Sequence, residues 1–84
     1  MFYVYFLKLN NKEIYVGSTN DLRRRIYNHS VGLVRATKPH LPAKLLSYIA
    51  VCTDNKAREL EKYFKTGSGK AILKKRILTN EASA

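Results

Sequence analysis

Residues 2–19 run FYVYFLKLNNKEIYVGST, two apolar stretches around a short polar break. Residues 2–9 are dense in aromatic and β-branched side chains, which suit a buried strand. Asn10, Asn11 and Lys12 form a turn signal, and residues 13–17 alternate like a second strand, so the pair predicts a hairpin. Loop length then sets which side chains meet. A three-residue loop places Leu9 opposite Glu13 and Leu7 opposite Tyr15, which puts Tyr5 and Tyr15 on one face. A two-residue loop would separate them, because strand side chains alternate with a period of two. Gly17 is expected to end the second strand and to leave space for a ligand.

Outward from the hairpin, Thr19, Asn20 and Asp21 offer a cap for a helix at about residues 20–30. Gly32, Pro39 and Pro42 mark residues 30–42 as a loop, with residues 33–37 ambiguous. Residues 45–53 read as a third strand. Asp54 is a plausible cap for a helix at 55–66, which Gly67 would stop. A basic helix is expected at 70–78. The order ββαβαα predicts an α/β layer, a short and mainly antiparallel three-stranded sheet flanked by helices. One domain over residues 1–78 is expected, with residues 79–84 as a flexible polar tail.

The chain has 84 residues, room for one modest core. Sixteen Lys and Arg against six Asp and Glu leave a net charge of +10, and a surface this basic points to nucleic-acid phosphate as partner. No apolar run is long enough to span a membrane, and no helix pairs a basic face with a large apolar one, so no membrane partner is expected. The apolar start of the chain lacks the basic region and cleavage site of a signal peptide. A single cysteine, Cys52, rules out an internal disulfide and suits a reducing compartment, the cytoplasm. Cys52 itself reads as a core residue of the third strand, as do the tyrosines Tyr3, Tyr48 and Tyr63 in their elements. His40 has no second ligand at metal spacing.

Polar residues in apolar slots carry the functional signal. In the first helix the i, i+3, i+4, i+7 stripe is Leu22, Arg25, Ile26 and His29, whereas Arg23 and Arg24 point to solvent or phosphate. In the later helix the stripe is Ala57, Leu60, Glu61 and Phe64. Unpaired buried charge costs several kcal/mol. Arg25 and Glu61 therefore either pair with each other, tying the helices together, or serve a common ligand. A carboxylate suits a hard cation such as Mg2+, and an arginine suits a phosphate. Gly67-Ser68-Gly69-Lys70 is not a nucleotide-binding loop, since Phe64 and Ala71 stand where Gly and Ser or Thr are needed. Its amides and Lys70 are left as a possible phosphate contact at a helix start.

Tyr3-Val4-Tyr5, nine residues, then Tyr15-Val16-Gly17 resembles the paired tripeptides of GIY-YIG nucleases. Ser18-Thr19-Asn20-Asp21-Leu22 followed by Arg25 and His29 resembles that family's next block, and Ala57 with Glu61 its glutamate helix. The similarity spans residues 2 to about 65. Tyr3 replaces the first glycine, valines replace both isoleucines, and the asparagine many relatives carry after the glutamate has no counterpart. Residues 65–71 resemble a subset of very small members consisting of this domain alone. The resemblance implies a metal-dependent endonuclease that hydrolyses phosphodiester bonds of DNA, with structured or branched DNA as one candidate form of the substrate. It makes Tyr5 and Tyr15 the pair near the reacting phosphate, one of them orienting or deprotonating the water. Arg25 becomes the phosphate clamp, His29 a support, and Glu61 the protein ligand of a single Mg2+ or Mn2+. Ser18, Thr19, Arg23, Arg24, Lys65 and Lys70 are the expected nucleic-acid contacts. The alternative is a non-catalytic nucleic-acid-binding module on the same scaffold.

Overall fold

The computed structural model describes residues 1–77; the expected tail, and the last residue of the expected third helix, lie outside them. The elements are β1 (Phe2–Lys8), β2 (Ile14–Thr19), α1 (Leu22–Ser30), β3 (Lys44–Val51), α2 (Asp54–Phe64) and α3 (Gly67–Ile72), the last continuing as a wider π-type turn over Leu73–Ile77. The sheet is antiparallel throughout, with β1 central in the order β2-β1-β3. The expected ββαβαα layer is therefore the observed one.

The hairpin loop has three residues. Leu9 N–H donates to the Glu13 carbonyl and Lys12 N–H to the Leu9 carbonyl, each at 2.9 Å, and Lys12 closes the loop with φ of 72°. A turn followed by one left-handed residue is the usual three-residue solution. The register follows: Leu7 pairs with Tyr15 and Tyr5 with Gly17. β2 runs two residues beyond its expected end, so Gly17 is interior to the strand.

The two faces of the sheet have separate cores. On the odd face of β1, Tyr5, Leu7 and Leu9 pack with Tyr15, with Leu22 and Ile26 of α1, and with Leu45. On the even face, Val4, Phe6 and Val16 pack with Ala57 and Phe64 of α2 and with Leu73. Phe6 and Phe64 meet edge to face at 5.2 Å between ring centroids, each burial being worth about 1.5–3 kcal/mol. The stripes read from both helices thus point inward.

Several local expectations shift. Asp21 does cap α1, accepting from Arg24 N–H. Thr53, rather than Asp54, caps α2 through Lys56 N–H, and Asp54 opens the helix. Gly67 stops nothing. Thr66 caps a new helix by accepting from Gly69 N–H, so α3 begins at Gly67, three residues early. Gly69 is buried where a Cβ would strike the Tyr63 carbonyl, which explains glycine at the α2–α3 junction. The ambiguous loop holds a single 3-10 turn, Lys38–His40. Cys52 lies past the end of β3 and is exposed. Tyr48 and Tyr63 are also exposed, at 52% and 41%, because neither is covered by a second layer.

Candidate functional site

α1 lies over the odd face, and its inward stripe delivers His29 and Arg25 onto Tyr5. His29 is buried, with Nε2 2.8 Å from the Tyr5 hydroxyl. Its Nδ1 lies 2.8 Å from the Thr37 hydroxyl, which in turn donates to the Val34 carbonyl at 3.4 Å. With Thr37 donating there, Nδ1–H donates to Thr37 and Nε2 accepts from Tyr5. Arg25 Nε–H donates to the same Tyr5 oxygen at 3.1 Å. Tyr15 closes the group, edge-on to His29 at 5.2 Å and tilted against Tyr5 at 6.3 Å between ring centroids. Thr37, Val34, His29, Tyr5 and Arg25 form one continuous hydrogen-bonded chain.

Burial sets the protonation states. Desolvation pushes the Tyr5 phenol above its ordinary value, and the Arg25 hydrogen bond offsets only part of this. Tyr5 is therefore a neutral phenol near neutral pH. Desolvation, followed by the Arg25 charge, lowers His29 to about 4, so the imidazole is neutral. The Tyr5 hydrogen bond raises Arg25 further, with smaller contributions from Tyr15. Gly17 acquires a role different from the one expected. A Cβ there would collide with the Tyr5 hydroxyl and ring, so the space at Gly17 houses the Tyr5 phenol rather than a ligand.

Glu61 comes from the other layer. α2 packs on the even face, and its carboxylate meets β2 at Ser18, whose hydroxyl donates to Oε1 at 2.5 Å. Lys65, one turn on, donates to Oε2 at 2.8 Å. Burial opposes ionisation of Glu61, but Lys65 and Ser18 outweigh it and hold the carboxyl below its usual range. The alternative ion pair between Arg25 and Glu61 is not what forms: Arg25 is engaged by Tyr5, and Glu61 by Ser18 and Lys65.

The two layers nevertheless meet at one place. Arg25 and Glu61 line an open cavity of about 520 Å3 together with Phe2, Ser18, Thr19, Asn20, Asp54 and Arg58. Tyr5 and His29 lie beneath it, fully buried, and connect to it through Arg25. Of the expected contacts, Ser18 and Thr19 border this cavity, Lys65 is spent on Glu61, and Arg24 is exposed in a pair with Asp21. Lys70 stands apart, in a second cavity with Lys12 and Lys74. Thr37 and Arg58 were not foreseen. Thr37 sits in an aperiodic loop that carries no local signal, and Arg58, paired with Asp54 at 3.0 Å, looks like any exposed helix charge.

Of the two carboxylates on this open polar cavity, Asp54 is paired with Arg58, and Glu61 is left as a donor suited to a cation that keeps most of its waters, as Mg2+ does. Among the described residues no three His, Cys, Asp or Glu side chains cluster as metal ligands, so Glu61 would hold the ion with water supplying the rest. No helix of the described residues is long and apolar enough to cross a membrane.

The GIY-YIG catalytic-domain family model matches residues 1–76. A UPF0213 protein of Lactococcus lactis is 35% identical over 65 residues, 76% of this chain and 62% of that protein's length. One from Streptococcus agalactiae is 33% identical over 72 residues, covering 84% of this chain and 82% of its own. The solution NMR structure of the UPF0213 protein of Bacillus halodurans superposes with a TM-score of 0.55 at 30% identity, over 87% of this chain and 82% of that one. The hairpin with its paired tyrosines and the flanking helices, matched along nearly the whole chain, make this protein a member of the GIY-YIG catalytic-domain family, akin to the small UPF0213 proteins.

Proposed function

We propose that the chain is a metal-dependent endonuclease acting on DNA, with Tyr5, Tyr15, Arg25, His29 and Glu61 as its working residues. The observation that carries this reading is the cavity where an arginine braced by a buried phenol and an ionised carboxylate face the same space. Family membership supports a nuclease and a nucleic-acid substrate. The +10 charge supports a polyanionic partner.

Phosphodiester hydrolysis needs an oriented water, neutralised non-bridging oxygens and a stabilised leaving oxygen. Arg25 spends Nε–H on Tyr5 and turns its remaining N–H donors to a phosphate in the cavity. Glu61 would hold one Mg2+ or Mn2+, which when bound stabilises charge on the leaving side. Tyr5 is buried and neutral, so its part is to brace Arg25. The half-buried Tyr15 is the phenol that meets water, as its orienter or base. His29 accepts from Tyr5 and holds that phenol in place. Ser18 and Thr19 line the path of the backbone, with Arg23, Arg24 and Lys70 as outer phosphate contacts and residues 1–78 as the functional unit. The lone cysteine agrees with a reducing, cytoplasmic setting.

One observation favours a second reading, a non-catalytic nucleic-acid-binding module: the Lys65 ammonium already neutralises Glu61. Incubation with single-stranded, duplex and branched DNA, in Mg2+ or Mn2+, separates the two. Cleavage by the native chain, lost in Glu61→Ala with binding retained, is the expected result. Cleavage retained in Glu61→Ala would overturn the metal assignment. Tight binding with no cleavage under either metal would instead establish the binding module.

A further inference from the structure

We propose that Tyr3 and Tyr48 form a stacking floor for an unpaired nucleobase next to the cleavage site. The proposal rests on the nucleic-acid reading above and specifies the substrate as locally single-stranded. α1 packs on the odd face of the sheet through Leu22 and Ile26, against the cluster of Tyr5, Leu7 and Leu9. The same face carries Tyr3 of β1 and Tyr48 of β3, the latter the β3 partner of Tyr5, and these two rings meet at 6.0 Å between centroids with an interplanar angle of 68°. Tyr48 is 52% exposed, in a sheet whose other aromatic side chains on that face are covered or half-covered. An open cavity of about 540 Å3 lies over the pair, bounded by Asn20, Asp21, Leu22, Arg23, Ile26 and Leu45.

Two features suit this surface to a base rather than to a protein side chain or lipid. Its cation is Arg23, which is exposed at the rim, while its carboxylate, Asp21, is occupied in capping α1 and pairing with Arg24. The available charge is therefore positive and matches phosphate. Asn20 lines both this cavity and the one shared by Arg25 and Glu61, so a strand whose phosphate sits at Arg25 can place a neighbouring base on Tyr48. A ring stacked on tyrosine is recognised without regard to sequence, and a base held in a duplex presents no free face to it.

The test measures binding in a chelator, where cleavage cannot occur, using a short labelled single-stranded oligothymidylate and a duplex of the same length. Tyr48→Ala is expected to weaken single-strand binding by about fivefold or more, Tyr48→Trp to preserve it, and duplex binding to change little. Oligonucleotides with one abasic position should lose affinity for the native chain at one position and not for Tyr48→Ala. Single-strand binding unchanged in Tyr48→Ala would overturn the stacking floor and leave the nuclease reading intact. An equal loss on single strand and duplex would overturn it as well, marking a general contact surface. No binding of either nucleic acid by the native chain would overturn the nucleic-acid reading itself.

Discussion

At the residue scale, the three arginines of α1 differ although their side chains are identical. Arg25 lies on the inward stripe and is fixed to Tyr5, whereas Arg23 and Arg24 are exposed. Arg25→Ala is therefore expected to slow cleavage by about 10²–10³-fold, the usual loss when charge stabilisation leaves a reacting centre. Arg23→Ala and Arg24→Ala should act mainly on affinity, and single-turnover rates at saturating DNA distinguish the cases. Equal rate losses from all three would refute the helix-face assignment. His29 yields a pH prediction. Its folded value of about 4 lies below the ordinary 6.5, so the unfolded chain binds the proton first. Folding stability is then fully present above about pH 6.5 and is lost as pH falls through 4. At about 1.4 kcal/mol per unit this amounts to on the order of 3 kcal/mol. Urea midpoints between about pH 7 and pH 4.5 should fall in the native chain, and fall much less in His29→Gln.

At the scale of elements, β1 and β2 are locked by the pairing of Tyr5 with Gly17. The phenol cannot swing clear of a new Cβ, since His29 and Arg25 hold its oxygen. Gly17→Ala should cost about 1–3 kcal/mol in stability, as overpacking does. It should also reduce cleavage more than affinity, because Arg25 loses its brace. Thermal unfolding and the split between kcat and KM check both parts; a stable, fully active Gly17→Ala protein would contradict this packing. Much of this was legible beforehand. A three-residue loop is what places Tyr5 and Tyr15 together, and the 3.6-residue period is what places Arg25 with His29. The role of Gly17 was not legible, because a strand glycine signals close approach without saying what approaches, here the Tyr5 ring. The exposure of Cys52 and Tyr48 was not legible, because apolarity shows that a residue can be buried, not that a neighbour exists to cover it.

At the scale of the whole molecule, charge governs partner choice. With +10 on 84 residues, affinity for DNA should fall steeply with salt, and removing one phosphate-contacting arginine should reduce the logarithmic slope by about one. Titrations across a salt series on the native chain and Arg23→Ala measure this; a slope near zero would show that the basic surface does not meet phosphate. The sequence by itself determined the hairpin, the inward faces of both helices and the excess of positive charge, since each depends on a period or a count within one segment; the register needed the loop length as well, which the structure supplied. Only the tertiary structure decided that Glu61 arrives from the opposite layer to Tyr5 and lines one cavity with Arg25 while its carboxylate is held by Ser18 and Lys65. It also decided that Thr37 of an aperiodic loop holds His29, and that Tyr5 is sealed from water while Tyr15 is not. Those outcomes depend on which side of the sheet each helix packs and how far each covers it. They follow from contacts between residues distant in sequence, which no local period records.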